Sequence, residues 1–321
     1  MGLIDRILKP STRAFISEAR KTPGYSFFDL IHGYVYTRWP YLYIGIGTGE
    51  HPATSWFILL AGLWNRLIAP AKKAETASSG ISFADTYHGK AIPLATAEQL
   101  VHVHHDLDVR DLEQVIPYKR ARSIIMRNPD HIIALECPCR SAREHPCLPL
   151  DVCLIVGEPF ASFVREHHPQ RSRWITSDEA VAILKAEDER GHVHHAFFKD
   201  AMLDRFYAIC NCCKCCCGAM QAQRGGTPML ASSGYVSVVD PTVCIACGVC
   251  APYCQFEALS VADGLNRLDY RKCMGCGICV SKCDQGALTL VLDPARGTPL
   301  EVCSLMSAAI RLVDFEDVPT A

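Results

Sequence analysis

The feature that most constrains this chain is a cysteine spacing that occurs twice near its C-terminal end. Each copy reads C-x2-C-x2-C-x3-C, and the second copy repeats the first at a constant offset. The eight cysteines are Cys244, Cys247, Cys250, Cys254, Cys273, Cys276, Cys279 and Cys283. Three thiolates at this spacing can wrap three corners of an iron–sulfur cube from a single loop. Structural zinc also uses C-x2-C pairs, but it needs neither the third cysteine nor the x3 step. The motif therefore predicts two [4Fe-4S] clusters.

Residues 236–293 resemble the bacterial-type two-cluster ferredoxin, a dicluster domain. The residues around the cysteines repeat as well, DPTVC with DYRKC and EALSV with GALTL, which fits two pseudo-symmetric halves. The resemblance implies one cluster held by Cys244, Cys247, Cys250 and Cys283, and another held by Cys273, Cys276, Cys279 and Cys254. Each half is expected to run from a short strand through a ligand loop and a helix into a second strand.

The sequence departs from the ferredoxin pattern at one position in each half. The proline that commonly follows the fourth cysteine is replaced by Gln255 and by Asp284. That proline shapes the turn and does not bind iron, so the predicted ligands are unchanged. Gly248, Gly275 and Gly277 suit tight loops in which backbone N–H groups approach sulfide and raise the reduction potential.

The composition predicts a chain with further domains beside this module, and an intracellular location. A length of 321 residues allows two or three domains, and a hydrophobic content of 49% is enough for globular cores. The net charge of -2 argues against nucleic acid as a main partner. Nineteen cysteines, many at metal-ligand spacing, and no secretory signal at the start predict a reducing cytoplasm. Oxygen-sensitive clusters predict an anaerobic setting.

Residues 1–70 are predicted to form a separate helical region. They contain three of the four tryptophans of the chain, and residues 55–69 are its most apolar run. At about 15 residues this run is shorter than the ~20 that span a bilayer. Three alternatives stay open: an interfacial helix on the cytoplasmic face of a membrane, a docking face for a partner subunit, or a helical cap on the core. Residues 71–80 are expected to be a linker.

Residues 81–230 are expected to form a mixed α/β domain that is rich in cysteine. Two strands, at residues 132–135 and 152–156, flank a first cysteine group, and a second group follows in ICNCCKCCCG. The candidate ligands of further clusters are Cys137, Cys139, Cys147, Cys153, Cys210, Cys212, Cys213, Cys216 and Cys217, with Cys215 as an additional thiol. Arg140 is expected to lower the pKa of a neighbouring thiol or to hydrogen-bond a cluster sulfide. This density of thiols predicts one or two further iron–sulfur clusters.

Three helices are predicted in the central domain, at residues 118–127, 176–190 and 196–209. Residues 294–321 are predicted to form a C-terminal helix or tail in which Cys303 is a small core residue. The predicted fold class is therefore α+β. It combines a pseudo-twofold ferredoxin-type domain, a cysteine-rich α/β domain and an aromatic-rich helical region.

The chemistry that these residues support is one-electron transfer. The first hypothesis is an iron–sulfur electron-transfer protein or subunit that relays electrons through two [4Fe-4S] clusters to or from the central domain. Its redox partner would be a flavoprotein, a membrane complex or a catalytic subunit. The alternatives are a reductase with its active site at the central cysteines, and a metal-handling or redox-sensing protein. Zinc, a copper-type thiolate site and a redox-active dithiol stay open for the central cysteines.

Overall fold

The computed structural model describes residues 8–57, 59–60 and 82–306. Most of the apolar run at residues 55–69, the predicted linker and the end of the predicted C-terminal tail lie outside the described residues. Within the part of the chain that is described, no helix is long and apolar enough to cross a membrane.

The described residues alternate between helices and strands along most of the chain. The strands are β1 (Tyr87–Ala91), β2 (Leu107–Val109), β3 (Ile124–Glu136), β4 (Asp151–Glu158), β5 (Ser172–Ile175), β6 (Val193–Lys199), β7 (Arg205–Cys212), β8 (Leu230–Ala231), β9 (Tyr235–Val239), β10 (Leu259–Ala262), β11 (Leu265–Leu268) and β12 (Leu288–Leu292). The helices are α1 (Pro10–Lys21), α2 (Phe27–Arg38), α3 (Pro40–Gly47), α4 (Phe83–Thr86), α5 (Leu94–Val101), α6 (Pro138–Ser141), α7 (Phe160–His167), α8 (Ser177–Glu189), α9 (Gly218–Arg224), α10 (Cys250–Tyr253) and α11 (Ile278–Ser281).

The central domain is built on one eight-stranded sheet. Its order is β2-β3-β4-β7-β6-β1-β8, with β5 pairing on β3, and β1 and β8 form its parallel pair. Side chains of β3 alternate between two cores: Ile132 and Ala134 face one, and Ile133 and Leu135 face the other. Helices α5 and α8 cover the first face, while α1, α2 and α7 cover the second.

The secondary structure around the cysteines agrees in part with the sequence prediction. The strands predicted at residues 132–135 and 152–156 are confirmed within β3 and β4. The helix predicted at residues 176–190 is confirmed as α8, whose N-cap Thr176 accepts a hydrogen bond from the backbone of Glu179. Strand β3 leads into Cys137, and β4 carries Cys153.

Two predicted helices are wrong. Residues 118–127 form bends and the first four residues of β3, and residues 196–209 form the end of β6, a turn and most of β7. Phe197 and Phe198 face opposite cores, so this segment is apolar on both sides and lacks the alternation that marks a half-buried strand. The prediction for Cys303 is also wrong: the side chain is exposed, and its neighbour Val302 is buried instead.

Helices α1 to α3 pack on the second face of the sheet, and we refer to residues 10–47 as the N-terminal cap. The ring of Phe15 contacts Phe163 and Phe160, with centroid distances of 5.7 and 6.4 Å. Phe27 and Phe28 remain 71% and 81% exposed, although they begin a helix of the cap. Contact of such exposed aromatic side chains with a membrane or a partner stays a prediction.

The C-terminal module consists of two small antiparallel sheets. Strand β9 pairs with β12, and β10 pairs with β11. In each half a strand leads through a cysteine loop and a short helix, α10 or α11, into a second strand. This is the pseudo-twofold arrangement that the ferredoxin resemblance implied.

Candidate metal centres

The eight C-terminal cysteines surround two separate cavities. Cys244, Cys247, Cys250 and Cys283 line the first, which we name the Cys244 cavity. Cys254, Cys273, Cys276 and Cys279 line the second, which we name the Cys273 cavity. Each cavity thus takes three cysteines from one motif and the fourth from the other. The grouping is the one that the resemblance implied, and ligation by these sulfur atoms stays a prediction.

The crossing cysteines receive equivalent hydrogen bonds in the two halves. The backbone N–H of Ala258 donates to Cys254 Sγ at 3.2 Å, and that of Ala287 donates to Cys283 Sγ at 3.3 Å. Such donors stabilise a thiolate relative to a thiol, and they raise the potential of a cluster that the thiolate binds. Both loops therefore offer sulfur ligands that suit iron.

The loop around Cys276 has no space for a side chain at Gly275. Its φ is +63°, and a Cβ atom there would lie 2.1 Å from the carbonyl oxygen of Tyr235 and 2.4 Å from Ser233 Oγ. Ser233 Oγ also donates a hydrogen bond to the carbonyl of Gly275 at 2.7 Å. Burial raises the pKa of Cys276, so its thiolate needs a nearby cation, such as cluster iron, to be stable.

A third cavity, the central cavity, lies between the second face of the sheet and helices α2 and α3. Eight of the ten upstream cysteines line it: Cys137, Cys139, Cys153, Cys210, Cys212, Cys213, Cys216 and Cys217. Cys153 and Cys210 are opposite each other on β4 and β7, where strand pairing joins the two cysteine groups. Side chains far apart in the sequence therefore converge on one buried space.

Six of these thiols are neighbours in a continuous series, whose last two members are hydrogen-bonded at 3.2 Å. Its order is Cys210, Cys153, Cys137, Cys139, Cys217 and Cys212. The hydrogen bond with Cys139, together with burial, raises the pKa of Cys137 to about 12. Thiols this buried and this close repel one another once they ionise, and metal binding is the common way in which proteins stabilise such a set. The sulfur atoms of these six cysteines are ligands of the kind that bind an iron–sulfur cluster.

A hydrogen bond from the backbone N–H of Arg140 lowers the pKa of the Cys137 thiol, as predicted for Arg140, but the contact with Cys139 and burial raise the pKa overall. The side chain of Arg140 is bound elsewhere. Its guanidinium donates to Glu187 Oε2 at 2.5 Å and to the carbonyl of Asn211 at 3.1 Å. Its charge is therefore largely balanced by Glu187, which is buried as well. The Nε–H of Arg140, however, has no hydrogen-bond partner among the described residues, and Arg140 lines the central cavity. An acceptor such as a cluster sulfide would satisfy it.

The central cavity and its surroundings also contain polar groups that the sequence did not reveal. The hydroxyls of Tyr36 and Tyr207 are 2.8 Å apart, and both residues line the central cavity. Lys199 Nζ lies 4.8 Å from the ring centroids of Tyr36 and of Tyr87. Burial lowers the pKa of Lys199 to about 8. The only sequence signal was a lysine that ends an apolar strand, which gives no hint of its neighbours.

Four cysteines form a separate set at the edge of the central cavity, which we name the outer thiol group. These are Cys147, Cys213, Cys215 and Cys216, and their sulfur atoms all lie within 4.8 Å of one another. Cys215, which sequence reasoning left out of the candidate ligands, is the most exposed member. The group brings together both upstream cysteine segments.

Gln255, one of the two replacements of the ferredoxin proline, joins the module to the central domain. Its Oε1 accepts from the backbone N–H of Lys214 at 2.9 Å, and its Nε2 donates to the carbonyl of Gly191 at 2.8 Å. The next residue, Phe256, lines the Cys273 cavity and packs into the core that contains the central cysteines. The Cys273 cavity therefore adjoins the central domain.

Comparison with known proteins supports the C-terminal assignment. The family model described as a 4Fe-4S binding domain matches residues 237–260 and 267–289. Each matched segment contains one complete cysteine motif, so the resemblance to a dicluster ferredoxin-type domain is confirmed. A search of the curated proteins finds no match to the chain.

Proposed function

We propose that this protein, which is an iron–sulfur protein with a role in electron transfer, relays electrons between its C-terminal module and a further iron–sulfur centre in the central cavity. The observation that carries the proposal is the convergence of cysteines from both upstream segments on one buried cavity. That cavity shares a hydrophobic core with Phe256 and Met274, two residues that also line the Cys273 cavity.

The residues that line each cavity define the proposed ligands of each cluster. The Cys244 cavity and the Cys273 cavity each provide four sulfur donors for a [4Fe-4S] cluster, which supplies one-electron chemistry when it is bound. The chain contributes the thiolates, the N–H donors to Cys254 and Cys283, and the burial that excludes water. The central cavity provides the series of six thiols and the Nε–H of Arg140, which has no partner among the described residues.

The two ends of the module differ in solvent exposure, which suggests at which end a partner docks. Ile245, which lines the Cys244 cavity, is 66% exposed, whereas Phe256 at the other cavity packs into the central core. We propose that a redox partner, such as a flavoprotein, a membrane complex or a catalytic subunit, docks at the Cys244 end. The exposed Phe27 and Phe28 are proposed to contact a partner or the cytoplasmic face of a membrane.

A second candidate function is a reductase whose active site is the central cavity. Tyr36 and Tyr207 line that cavity with the thiols, and the ammonium of Lys199 lies 4.8 Å from the centroid of the Tyr36 ring. A lysine with a pKa of about 8 can donate a proton near neutral pH, which a reduction at the thiols requires. These polar groups support the reductase as the second candidate.

The first test is a metal count on protein purified without oxygen. The module alone predicts about eight irons per chain, and one further four-iron cluster predicts about twelve, with matching sulfide. Cys153→Ser should then lower the count to about eight and leave the module's EPR signals unchanged. Cys303→Ser, at an exposed cysteine away from all cavities, is the control. A wild-type count near eight, with zinc in addition, would refute a central cluster.

The second test separates the carrier from the reductase. A reductase predicts that a substrate changes the EPR signal of the central centre. Tyr36→Phe keeps the ring and removes the hydroxyl, so it should slow turnover strongly and retain the full iron content. A protein that shows no turnover and no signal change with any reducible compound, and that still exchanges electrons with a flavoprotein, is a carrier.

A further inference from the structure

We propose that the outer thiol group binds a single tetrahedrally coordinated metal ion, zinc or iron, as a site distinct from the iron–sulfur clusters. Its ligands are Cys147, Cys213, Cys215 and Cys216. The inference does not rest on the proposed relay, because it follows from the spacing of these four sulfur atoms alone.

The distances between the sulfur atoms match the size of one ion. A metal–sulfur bond of about 2.3 Å in tetrahedral geometry places the sulfur atoms about 3.8 Å apart. Cys215 Sγ lies 3.0 Å from Cys147 Sγ, 3.3 Å from Cys213 Sγ and 3.7 Å from Cys216 Sγ. Four thiols at these distances would repel one another when ionised, and a bound cation removes that repulsion.

The two ferredoxin cavities provide an internal comparison. Across the described residues, no other set of three or more Cys, His, Asp or Glu ligand atoms lies within 4.8 Å of one another. The sulfur atoms around the Cys244 cavity and the Cys273 cavity are therefore spread more widely than those of the outer thiol group. That wider spacing suits a four-iron cube, whereas the compact spacing suits one ion.

The site is built from two segments that both form walls of the central cavity. Cys147 follows α6, which carries Cys139, while the other three ligands lie between β7 and α9. Arg143 links the same two segments, since it donates to Gln221 Oε1 at 2.5 Å. An ion held by all four thiolates would fix the two walls relative to each other.

Access from solvent is adequate for an ion to enter. Cys215 is exposed and Cys147 is partly exposed, while Cys213 and Cys216 are buried. Cys215 is thus the ligand whose removal disturbs the surrounding packing least.

The experiment compares the metal and sulfide contents of the full-length wild-type protein, Cys215→Ser, Cys147→Ser and the control Cys303→Ser, all purified without oxygen. Each ligand variant should lose one zinc or one iron per chain, with no loss of acid-labile sulfide and with unchanged cluster EPR signals. Whichever element disappears identifies the ion. The control should match the wild type.

Three outcomes would overturn the proposal. A loss of several irons together with sulfide would show that these cysteines bind a cluster. An unchanged metal content in both ligand variants would show that no ion is present. A disulfide between Cys147 and Cys215 in the native protein, found by mass spectrometry without reductant, would explain their proximity instead.

Hydrogen exchange tests, separately from metal binding, whether the ion fixes the two cavity walls relative to each other. Backbone amides at residues 142–150 should exchange faster in Cys215→Ser than in the wild type or in Cys303→Ser. If the ion is lost and hydrogen exchange in this segment does not change, the site binds metal but does not hold the two walls together. The proposed structural role of the ion would then be wrong.

Discussion

The ion pair of Arg140 and Glu187 shows, at the scale of single residues, how the fold positions a cysteine segment. Both side chains are buried, and His192 Nδ1 lies 2.6 Å from Glu187 Oε2. Burial alone would raise the pKa of Glu187, but the hydrogen bond with His192 and the charge of Arg140 outweigh it and lower the pKa. The ordinary pKa of a glutamate is 4.5, and that of Glu187 is lowered in the folded protein. The ion pair therefore contributes its full stability above pH 4.5, and this contribution is lost as the pH falls below that value.

Glu187→Gln should therefore destabilise the protein strongly at neutral pH. Removing one partner of a buried pair leaves an uncompensated charge and costs about 3–5 kcal/mol in the free energy of unfolding. The matched control is Glu179→Gln, which breaks an ion pair with Arg173 at the surface and should cost about 0–1 kcal/mol. Urea denaturation at pH 7 measures both. Equal losses in the two variants would show that Arg140 is not held by Glu187 in the way described.

Gly275 provides a second test at this scale, because Gly286 in the same module is a matched glycine. Gly275 and Gly286 both have a φ of +63°, but only Gly275 has atoms close to the site of a Cβ. Alanine adds about 1–2 kcal/mol of left-handed strain at either position, and at Gly275 it also collides with the backbone of Tyr235. Gly275→Ala should lose about four irons, the content of one cluster, while Gly286→Ala should keep them. Iron analysis and EPR distinguish the outcomes, and retention of all iron by Gly275→Ala would contradict the tight-loop argument.

At the scale of elements, the turn after α10 is one of the contacts through which the module meets the central domain. Gln255 makes hydrogen bonds to Lys214 and Gly191, whereas the equivalent Asp284 is exposed. Gln255→Ala removes both bonds and should cost about 1–3 kcal/mol in the free energy of unfolding. It should also speed hydrogen exchange at the Lys214 amide, which loses its acceptor. Asp284→Ala is the control and should change neither quantity. Unchanged exchange at Lys214 would mean that the contact does not persist in solution.

The same elements show which parts of the fold the sequence could predict. The two ferredoxin halves were predictable because their ligand spacing is local and repeated. Strands β3 and β4 and helix α8 were predictable from apolar runs and a helix cap. The end of β6 and most of β7 were not, because a strand buried on both faces has an apolar run without alternation.

The central cavity was only partly predictable for a topological reason. The sequence identified the cysteines, but their grouping depends on the pairing of β4 with β7, which places Cys153 opposite Cys210. No local spacing encodes that pairing. Tyr36 and Tyr87 are far from Lys199 in the chain, so only the folded structure reveals that their rings lie next to its ammonium. Likewise, Gln255 was visible as a departure from the ferredoxin pattern, but its partners were not.

At the scale of the whole molecule, the N-terminal cap closes the central cavity. Tyr36 and Thr37 of α2 and Ile44 of α3 line the cavity, so the cap and the sheet together exclude water from the thiols. The close approach of α2 depends on Gly33. A Cβ at this position would lie 2.2 Å from the carbonyl oxygen of Ala201, which also accepts a hydrogen bond from the hydroxyl of Tyr25 at 2.7 Å.

Gly33→Ala should therefore loosen the cap and expose the metal of the central cavity. We expect iron in excess of the module's eight to become accessible to a chelator much faster than in the wild type, while the module's own iron remains. Gly47→Ala is the control, because Gly47 ends α3 and has no atoms near a Cβ. Alanine is a better helix former than glycine by about 1 kcal/mol, so this control should be as stable as the wild type or more so. Anaerobic chelation, followed by absorbance with time, measures the difference. Equal chelation rates in Gly33→Ala and Gly47→Ala would show that the cap does not protect the central site, because the two substitutions are the same and only their packing differs.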